Sequence, residues 1–335
     1  SPHPDAARRF KGELVVRGDI ELAVALGDDA VWMPAEWDCW SHPEGRPIWP
    51  EEDQGENDDW IGIESKVLAD ATTVAEVEAY PWPEARFFDF AGIEERMAHA
   101  HRKGLAVLGG PWCSISTVLM GLFGTEEFLI KLHTDPDVIE AAVEGVTSFY
   151  EQAVHRFFQE VREYPEVFFF ASDLGSQEDL MMSPAMFRRF LLPAFSRIVK
   201  AARSYGLPIL LHSCGSIAKI IPDLIEIGID GLHPLQARAR DMNAERLAEY
   251  RDELVFVGGV DTQELLPFAS PEEVKADVER LKECFGVRFV VSPSHEALLP
   301  NVPLENVLAM RRGAVSNPHW HNIAAAQLVA QAVGA

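Results

Sequence analysis

The chain has 335 residues, 47% of them hydrophobic, which is enough to bury a large core in one barrel or in two ordinary domains. Its 53 acidic residues against 29 basic ones give a formal net charge of −24, which argues against nucleic acid or an anionic membrane as a partner. No apolar run approaches the roughly 18 residues of a membrane span. Four cysteines and the absence of a signal-peptide pattern at the start predict reduced thiols in a cytoplasmic enzyme.

The first 100 residues are irregular and rich in tryptophan. Ala30-Val31-Trp32-Met33-Pro34 is a candidate first strand. Six of the eight tryptophans lie in this region: Trp32, Trp37, Trp40, Trp49, Trp60 and Trp82. They either line a pocket at the mouth of a barrel or fill the core of an N-terminal subdomain. We expect residues 1–80 to be an irregular segment that caps the barrel, and residues 81–335 to form the barrel, in one domain overall.

From about residue 100 onward, strands and helices alternate. The predicted strands are residues 105–110, 167–171, 208–211, 229–233, 254–257 and 287–291. Helices are predicted over 137–164, from an N-cap at Ser183 to about Gly206, and from a capping box at Ser270 and Glu273 to Gly286. Such alternation indicates a parallel sheet, and we predict a (β/α)₈ barrel whose two remaining strands lie in the first 100 residues or are distorted.

A histidine and a cysteine stand at the end of one predicted strand. His212-Ser213-Cys214-Gly215 follows the apolar run 207–211 directly, at the edge where barrel enzymes place their chemistry. Because strand positions two apart share a face, His212 and Cys214 can point into one site. Imidazole and thiolate are preferred zinc ligands, although a lone cysteine at a strand end is often only core packing.

A second histidine, His295, follows the predicted strand at 287–291 in the run Ser292-Pro293-Ser294-His295. It is either the third ligand of an open zinc site or a loop histidine bonded to the backbone. His212, Cys214 and His295 together predict a catalytic zinc, because three nitrogen or sulfur ligands at strand ends leave one position for substrate.

An ordered series of motifs extends through the second half of the chain. It consists of Asp173-Leu174-Gly175-Ser176-Gln177, Ser183-Pro184-Ala185-Met186-Phe187-Arg188, His212-Ser213-Cys214-Gly215-Ser216-Ile217, Ile221-Pro222-Asp223-Leu224-Ile225, Gly228-Ile229-Asp230, Pro234-Leu235-Gln236, Gly258-Gly259-Val260-Asp261-Thr262-Gln263 and Ser292-Pro293-Ser294-His295. This series resembles the uroporphyrinogen decarboxylase superfamily over roughly residues 65–310. The resemblance implies a (β/α)₈ barrel, in agreement with the strand pattern.

That superfamily contains two chemistries. Its decarboxylases need no metal and bind tetrapyrrole propionates through an N-terminal Arg-Gln-Ala-Gly-Arg-Tyr-like loop. The N-terminal arginines of this chain do not correspond to that loop: Arg8, Arg9, Arg17 and Arg46. Its corrinoid-dependent methyltransferases carry zinc on His-x-Cys and a third ligand late in the barrel, which the resemblance places at His212, Cys214 and His295.

The third ligand departs from the best-known thiol methyltransferases, which have a cysteine where this chain has His295. A zinc held by two histidines and one cysteine carries more net positive charge, which suits a Lewis acid for an ether or phenolate oxygen. Together with the tryptophan-rich composition, this favours an oxygen or nitrogen methyl donor, with an aromatic methyl ether as one candidate, as in O-demethylases that methylate cob(I)alamin.

Polar residues at other strand ends are further candidates. Asp173 is a candidate proton donor, substrate anchor or fourth zinc ligand, and otherwise a loop cap. Gln177 and Gln236 either bind substrate or corrinoid or are turn residues. Asp261 is a candidate catalytic residue that orients His212 or another ligand.

Gly258 and Gly259 allow close approach of the backbone to a cofactor or to a neighbouring loop. His233 is either a site residue or a core histidine. Glu36 is a candidate pocket residue beside Trp37.

The leading hypothesis is therefore a zinc-dependent methyltransferase that moves a methyl group between a small methylated compound and a corrinoid. The Asp-x-His-x-x-Gly pattern of corrinoid-binding domains is absent from the sequence, so we expect cobalamin from a partner protein or from solution. The alternatives are a metal-independent decarboxylase and a non-catalytic barrel homologue. The sequence leaves the oligomeric state open, with a homodimer as one option.

Overall fold

Seven short, mostly apolar runs form one parallel sheet in the computed structural model, which describes residues 3–50, 65–295 and 297–316. The strands are β1 Ala30–Pro34, β2 Ala106–Gly110, β3 Pro165–Ala171, β4 Ile209–His212, β5 Gly231–His233, β6 Val255–Val260 and β7 Phe289–Pro293. Each pairs with the next in chain order, so β1 and β7 are the edges. The predicted parallel α/β barrel fold is confirmed, with seven strands and no eighth among these described residues.

Helices precede, connect and follow the strands. They are α1 Pro4–Leu14, α2 Asp19–Leu26, α3 Val74–Glu78, α4 Ala91–Arg102, α5 Ile115–Phe123, α6 Thr125–Thr134, α7 Pro136–Glu160, α8 Pro184–Met186, α9 Leu192–Arg203, α10 Ile221–Glu226, α11 Ala244–Leu247, α12 Leu265–Phe268, α13 Pro271–Phe285 and α14 Leu304–Ala314. Within the described part of the chain, none is long and apolar enough to cross a membrane.

Two helices of the structure differ in detail from the helices predicted from the sequence. The helix predicted over 137–164 ends at Glu160, because the chain turns there to enter β3 at Pro165. The helix predicted from Ser183 is divided by a π-helical turn, Phe187–Leu191, between α8 and α9. Pro193, in the first turn of α9, has no backbone N–H to continue a regular ladder, which explains the interruption.

Alternate residues of each strand face two different cores. On β3, Phe168 and Phe170 pack in the large core under the helices, whereas Val167 and Phe169 belong to a smaller cluster. That smaller cluster is completed by Leu210, Val255 and Val257, with Trp32, Leu108, Trp112 and Val290 against it. Because side chains alternate along a strand, this cluster is the interior of the curled sheet.

The sequence left open whether the N-terminal tryptophans line a pocket or fill a core, and the described tryptophans include examples of both. Trp32 lies on β1 and faces the interior of the sheet. Trp40 and Trp49 instead pack against Phe149 of α7, with ring centroids 6.2 and 5.3 Å apart. Trp82 packs on Trp49 at 6.5 Å. Trp60 lies outside the described residues, and the boundary at residue 80 stays a prediction.

Gly258 of β6 permits a close contact between two strand ends. Its φ is +126°, and a Cβ built on it would lie 1.8 Å from the carbonyl oxygen of Pro234. The N–H of Gly259 donates to that same oxygen at 3.3 Å. The sequence left open whether this glycine pair approaches a cofactor or a neighbouring loop. The contacts in the structure are with the loop after β5.

We predict that Gly258→Ala lowers the free energy of unfolding by about 2 kcal/mol or more, because the added carbon meets backbone and φ is unfavourable for L residues. Chemical denaturation measures this. The control is Gly12→Ala in α1, where a Cβ meets nothing within 4 Å, and which should raise stability by up to about 1 kcal/mol. Equal stability of the Gly258→Ala variant and the wild type would contradict the close contact.

Candidate metal centre

The ends of β3, β4 and β5 lie side by side in register. Ala171 pairs with His212, and His212 pairs with His233. The backbone N–H of Ser172 donates to the carbonyl of His212, and that of Ser213 donates to the carbonyl of His233, both at 2.9 Å. Residues paired in register point to the same face, so both histidines face the interior of the sheet.

Asp173, His212 and Cys214 form a compact group just beyond these strand ends. One ligand atom from each lies within 4.8 Å of the other two. Nε2 of His212 is 3.5 Å from Oδ1 of Asp173 and 3.5 Å from Sγ of Cys214. The same Oδ1 accepts a hydrogen bond from the backbone N–H of Cys214 at 2.8 Å. Nitrogen, sulfur and carboxylate oxygen are a donor set that fits zinc.

The loops that carry Asp173 and Cys214 are fixed by backbone contacts. A Cβ on Gly215, whose φ is +79°, would lie 2.2 Å from the carbonyl oxygen of Gly175, so only glycine fits between the two loops. On the other side, Ser116 Oγ lies 2.6 Å from Ser172 Oγ and donates to the carbonyl of Asp173 at 2.9 Å. Close main-chain packing on one side and serine hydroxyl hydrogen bonds on the other therefore hold the group.

Opposing influences act on the Asp173 carboxyl. Burial raises its pKa, but the contact with His212, together with the N–H of Cys214, outweighs burial and lowers the pKa below its ordinary 3.8. Asp173 is therefore ionised at neutral pH and available as an anionic ligand.

His233 supports His212 from the adjacent strand. Its Nδ1 lies 2.9 Å from Nδ1 of His212. Burial, reinforced by the neighbouring imidazoles of His212 and His295, holds the pKa of His233 well below its usual 6.5, so this ring is neutral. The sequence left open whether His233 was only a core histidine, and its direct contact with His212 places it at the centre.

A cavity of about 80 Å³ opens beside His212 inside the sheet. Three aromatic residues, three histidines and two residues of β7 line it: Trp32, Trp112, Phe169, His212, His233, His295, Ser292 and Pro293. The ring centroids of Trp32 and Trp112 are 4.5 Å apart, and those of Trp112 and His212 are 5.3 Å apart. A small, mostly apolar chamber thus adjoins the group of Asp173, His212 and Cys214.

His295 lies in this chamber but outside the compact group of three. Its Nδ1 accepts a hydrogen bond from the N–H of Ala297 at 3.2 Å. The compact group therefore differs in its third member from the set expected from sequence, since Asp173 is the residue in contact and His295 lines the cavity beside His212.

The two predicted glutamines bind each other. Nε2 of Gln177 donates to Oε1 of Gln236 at 2.7 Å, and that oxygen also accepts from the N–H of Gly215 at 2.9 Å. These bonds join the loops after β3, β4 and β5.

Asp261 lies in a small recess at the rim, with Thr262, Ser294 and His295 among its lining residues. Its Oδ2 accepts from Arg238 at 3.3 Å, and its Oδ1 accepts from the N–H of Gln263 at 2.8 Å. This carboxylate thus contacts Arg238 and its own loop.

Glu36 follows β1 and is only 2% exposed. Burial raises the pKa of its carboxyl to about 7, although a hydrogen bond from Tyr150 acts against the shift. Oε1 has no hydrogen-bond partner among the described residues. This buried acid is not among the residues that line the cavity beside His212.

Trp112 and Phe169 were missed as site residues. Phe169 faces the opposite side of β3 from Phe168 and Phe170. The signal that the sequence offered was its position on the strand next to the one that ends at His212. Trp112 follows the glycines of β2, and no pattern in the sequence marks it.

Comparison with known proteins agrees with this architecture. The fold matches the solved structure of a methyltransferase from Methanosarcina mazei with a TM-score of 0.61, over 93% of this chain and 87% of that chain. Their sequence identity is 19%, so this likeness shows the fold alone. The fold is a parallel α/β barrel, and the strand-end group is a set of side chains at the carboxyl edge of its sheet that could hold a metal ion.

The sequence model of the family Uroporphyrinogen decarboxylase (URO-D) matches residues 95–314, more than half of the chain, and the chain belongs to this family. The resemblance inferred from the motifs is thereby confirmed. The chain is 25% identical over 210 residues to the methylated-thiol–coenzyme M methyltransferase of Methanosarcina mazei. It is 27% identical over 194 residues to the methylcobamide:CoM methyltransferase MtaA of Methanosarcina barkeri.

These matches cover 60% and 58% of this chain, and 51% and 53% of the two relatives. The chain therefore spans about half the length of each of the two curated relatives. The methyltransferase branch of the superfamily is represented in both.

We predict that Glu36→Gln flattens the pH dependence of stability. The folded pKa of about 7 lies above the ordinary 4.5, so the stability that depends on the protonated acid is present at low pH and is lost as pH rises through 7. Between pH 5 and 8, unfolding free energies should show the wild type losing on the order of 2 kcal/mol relative to Glu36→Gln. Parallel pH profiles for the two proteins would contradict the burial of this carboxyl.

Proposed function

We propose that this protein is a zinc-dependent methyltransferase that moves a methyl group between a small methylated compound and a corrinoid. The observation that carries the proposal is the compact group of Asp173, His212 and Cys214 beside an aromatic cavity. The two curated relatives of this chain are methyltransferases, and the name of one includes a methylcobamide. This supports a corrinoid as the second methyl carrier.

In this proposal, Nε2 of His212, Sγ of Cys214 and a carboxylate oxygen of Asp173 hold the zinc. Zinc held there would supply a Lewis acid for the oxygen, nitrogen or sulfur atom that carries the methyl group, and would stabilise the charge left on that atom. His295 then stands beside the position left for substrate. From the cavity it either contacts the substrate or takes the third ligand position that the resemblance implies.

The cavity selects a small apolar donor. Trp32, Trp112 and Phe169 exclude water from the reacting atom and offer ring faces to a flat substrate. These walls support an aromatic methyl ether as the donor. The carbon–oxygen bond breaks, the methyl group passes to cobalt(I) with formation of a cobalt–carbon bond, and the phenolate leaves. The cobalamin is carried by a separate corrinoid protein or is free in solution.

The metal-independent decarboxylase is less well supported. Porphyrinogen substrates carry several carboxylates, and none of the eight residues that line the cavity is Lys or Arg.

We predict that the zinc-loaded protein methylates cob(I)alamin, or a cognate corrinoid protein, when a methoxylated aromatic compound is supplied. The visible absorbance of cobalt reports the conversion. Omission of zinc, donor or protein should each abolish it. Release of carbon dioxide from a porphyrinogen by metal-free protein would overturn the proposal.

Cys214→Ala should lose zinc and methyl transfer but keep the fold, because an open catalytic site does not hold a barrel together. Zinc content and circular dichroism are the two measurements. An unfolded variant would indicate a structural metal, and a fully active one would show that Cys214 is only core packing.

Asp173→Asn and His295→Ala separate the candidates for the third ligand. If Asp173 is the ligand, Asp173→Asn should weaken zinc binding about 10-fold or more, while His295→Ala keeps zinc and chiefly alters kcat or KM. The reverse result, with zinc lost only from His295→Ala, would assign the third position to His295. Competition with a chromophoric chelator measures both affinities.

A further inference from the structure

The rings of His212 and His233 form a hydrogen-bonded pair at the ends of two neighbouring strands. They are register partners on β4 and β5, with Nδ1 atoms 2.9 Å apart and ring centroids 5.0 Å apart. A hydrogen bond between two imidazole nitrogens needs one proton, so one Nδ1 donates and the other accepts.

The proton positions follow from the other nitrogen of His212. Its Nε2 faces Asp173 and Cys214, each at 3.5 Å, and a ligating nitrogen must present a lone pair. A neutral imidazole has one N–H, so a ligating Nε2 requires the proton on Nδ1 of His212. That N–H points to His233, which must accept it.

The ring of His233 is held in place to do so. It packs edge-on against Phe169 of β3, with centroids 5.2 Å apart and planes at 88°. The carbonyl of His233 accepts the N–H of Ser213, which ties its backbone to the loop that carries Cys214. Side chain and main chain of His233 thus both contact the segment His212-Ser213-Cys214.

We propose that His233 is a positioning residue, which accepts a hydrogen bond from Nδ1–H of His212 and so fixes the tautomer and ring orientation that present Nε2 to the metal. The proposal rests on the proposed zinc site. His233 acts through His212 and does not itself need to touch metal or substrate. Such partners of a ligating histidine typically change metal affinity by about 10- to 100-fold.

The test compares His233→Leu, which removes the acceptor, with His233→Asn, whose Oδ1 can take the place of the ring Nδ1. Zinc dissociation constants come from chelator competition, and the visible spectrum of the cobalt(II)-loaded protein reports the ligand geometry. His233→Leu should bind zinc about 10- to 100-fold more weakly and change the cobalt spectrum, whereas His233→Asn should stay within about threefold of the wild type.

His155→Leu is the matched control. It removes another partly buried histidine whose ring nitrogen is hydrogen-bonded, to Tyr205 at 3.1 Å, on α7. It should leave zinc affinity unchanged. If His233→Leu does not fold, His233→Gln, which keeps polarity but displaces the acceptor, should show the same weakening.

If folded His233→Leu, or His233→Gln in its place, binds zinc as tightly as the wild type, the positioning role of His233 is overturned. The proposed zinc site is not affected by that result. Equal weakening in His233→Asn and His233→Leu would also overturn it, because bulk and not the acceptor would then matter. A wild type that binds no zinc would overturn the proposed function, and the positioning role with it.

Discussion

Ala171, His212 and His233 are paired in register across β3, β4 and β5, and the geometry of the centre depends on this pairing. A slip of one residue in β4 would turn His212 toward the helices and bring Leu211 to the interior. The hydrogen bonds from Ser172 and Ser213 to the paired carbonyls extend the register one residue beyond the strands. Asp173 and Cys214 therefore leave the sheet at fixed positions next to each other.

The two sides of the centre differ in polarity. Trp32, Trp112 and Phe169 form an apolar wall, whereas Asp173 and Cys214 supply charge and soft sulfur. Electrostatic interactions are stronger where water is excluded, so a zinc held at this boundary, as proposed, would polarise a bound heteroatom effectively. The close contact of the Gly215 and Gly175 backbones, together with the hydrogen bonds of Ser116 and Gln236, fixes the loops on the polar side.

The sequence predicted most of the fold because the signals were local. Each predicted strand combined an apolar run with a polar or glycine corner, and Ser270 with Glu273 marked the start of α13 through a capping box that the structure contains. The π-helical turn before Pro193 was not predictable, because it depends on how one proline is accommodated inside a helix.

The site was predictable only in part. His212 and Cys214 are two residues apart at a strand end, and that spacing is visible in any sequence. The approach of Asp173 and the pairing of His212 with His233 depend on inter-strand register, which periodicity does not encode. For the same reason, the sequence could not place Glu36 in a buried position away from the cavity lining, or distinguish the contact of Gly258 with Pro234 from an approach to a cofactor.

X-ray absorption at the zinc edge of the zinc-loaded protein tests the central claim most directly. A zinc bound by Cys214, His212 and a third nitrogen or oxygen ligand predicts one sulfur neighbour at about 2.3 Å and nitrogen or oxygen neighbours at about 2.0–2.2 Å. Multiple scattering from an imidazole ring should accompany them. A spectrum with no sulfur neighbour, or a protein that retains no zinc after dialysis, would contradict the account.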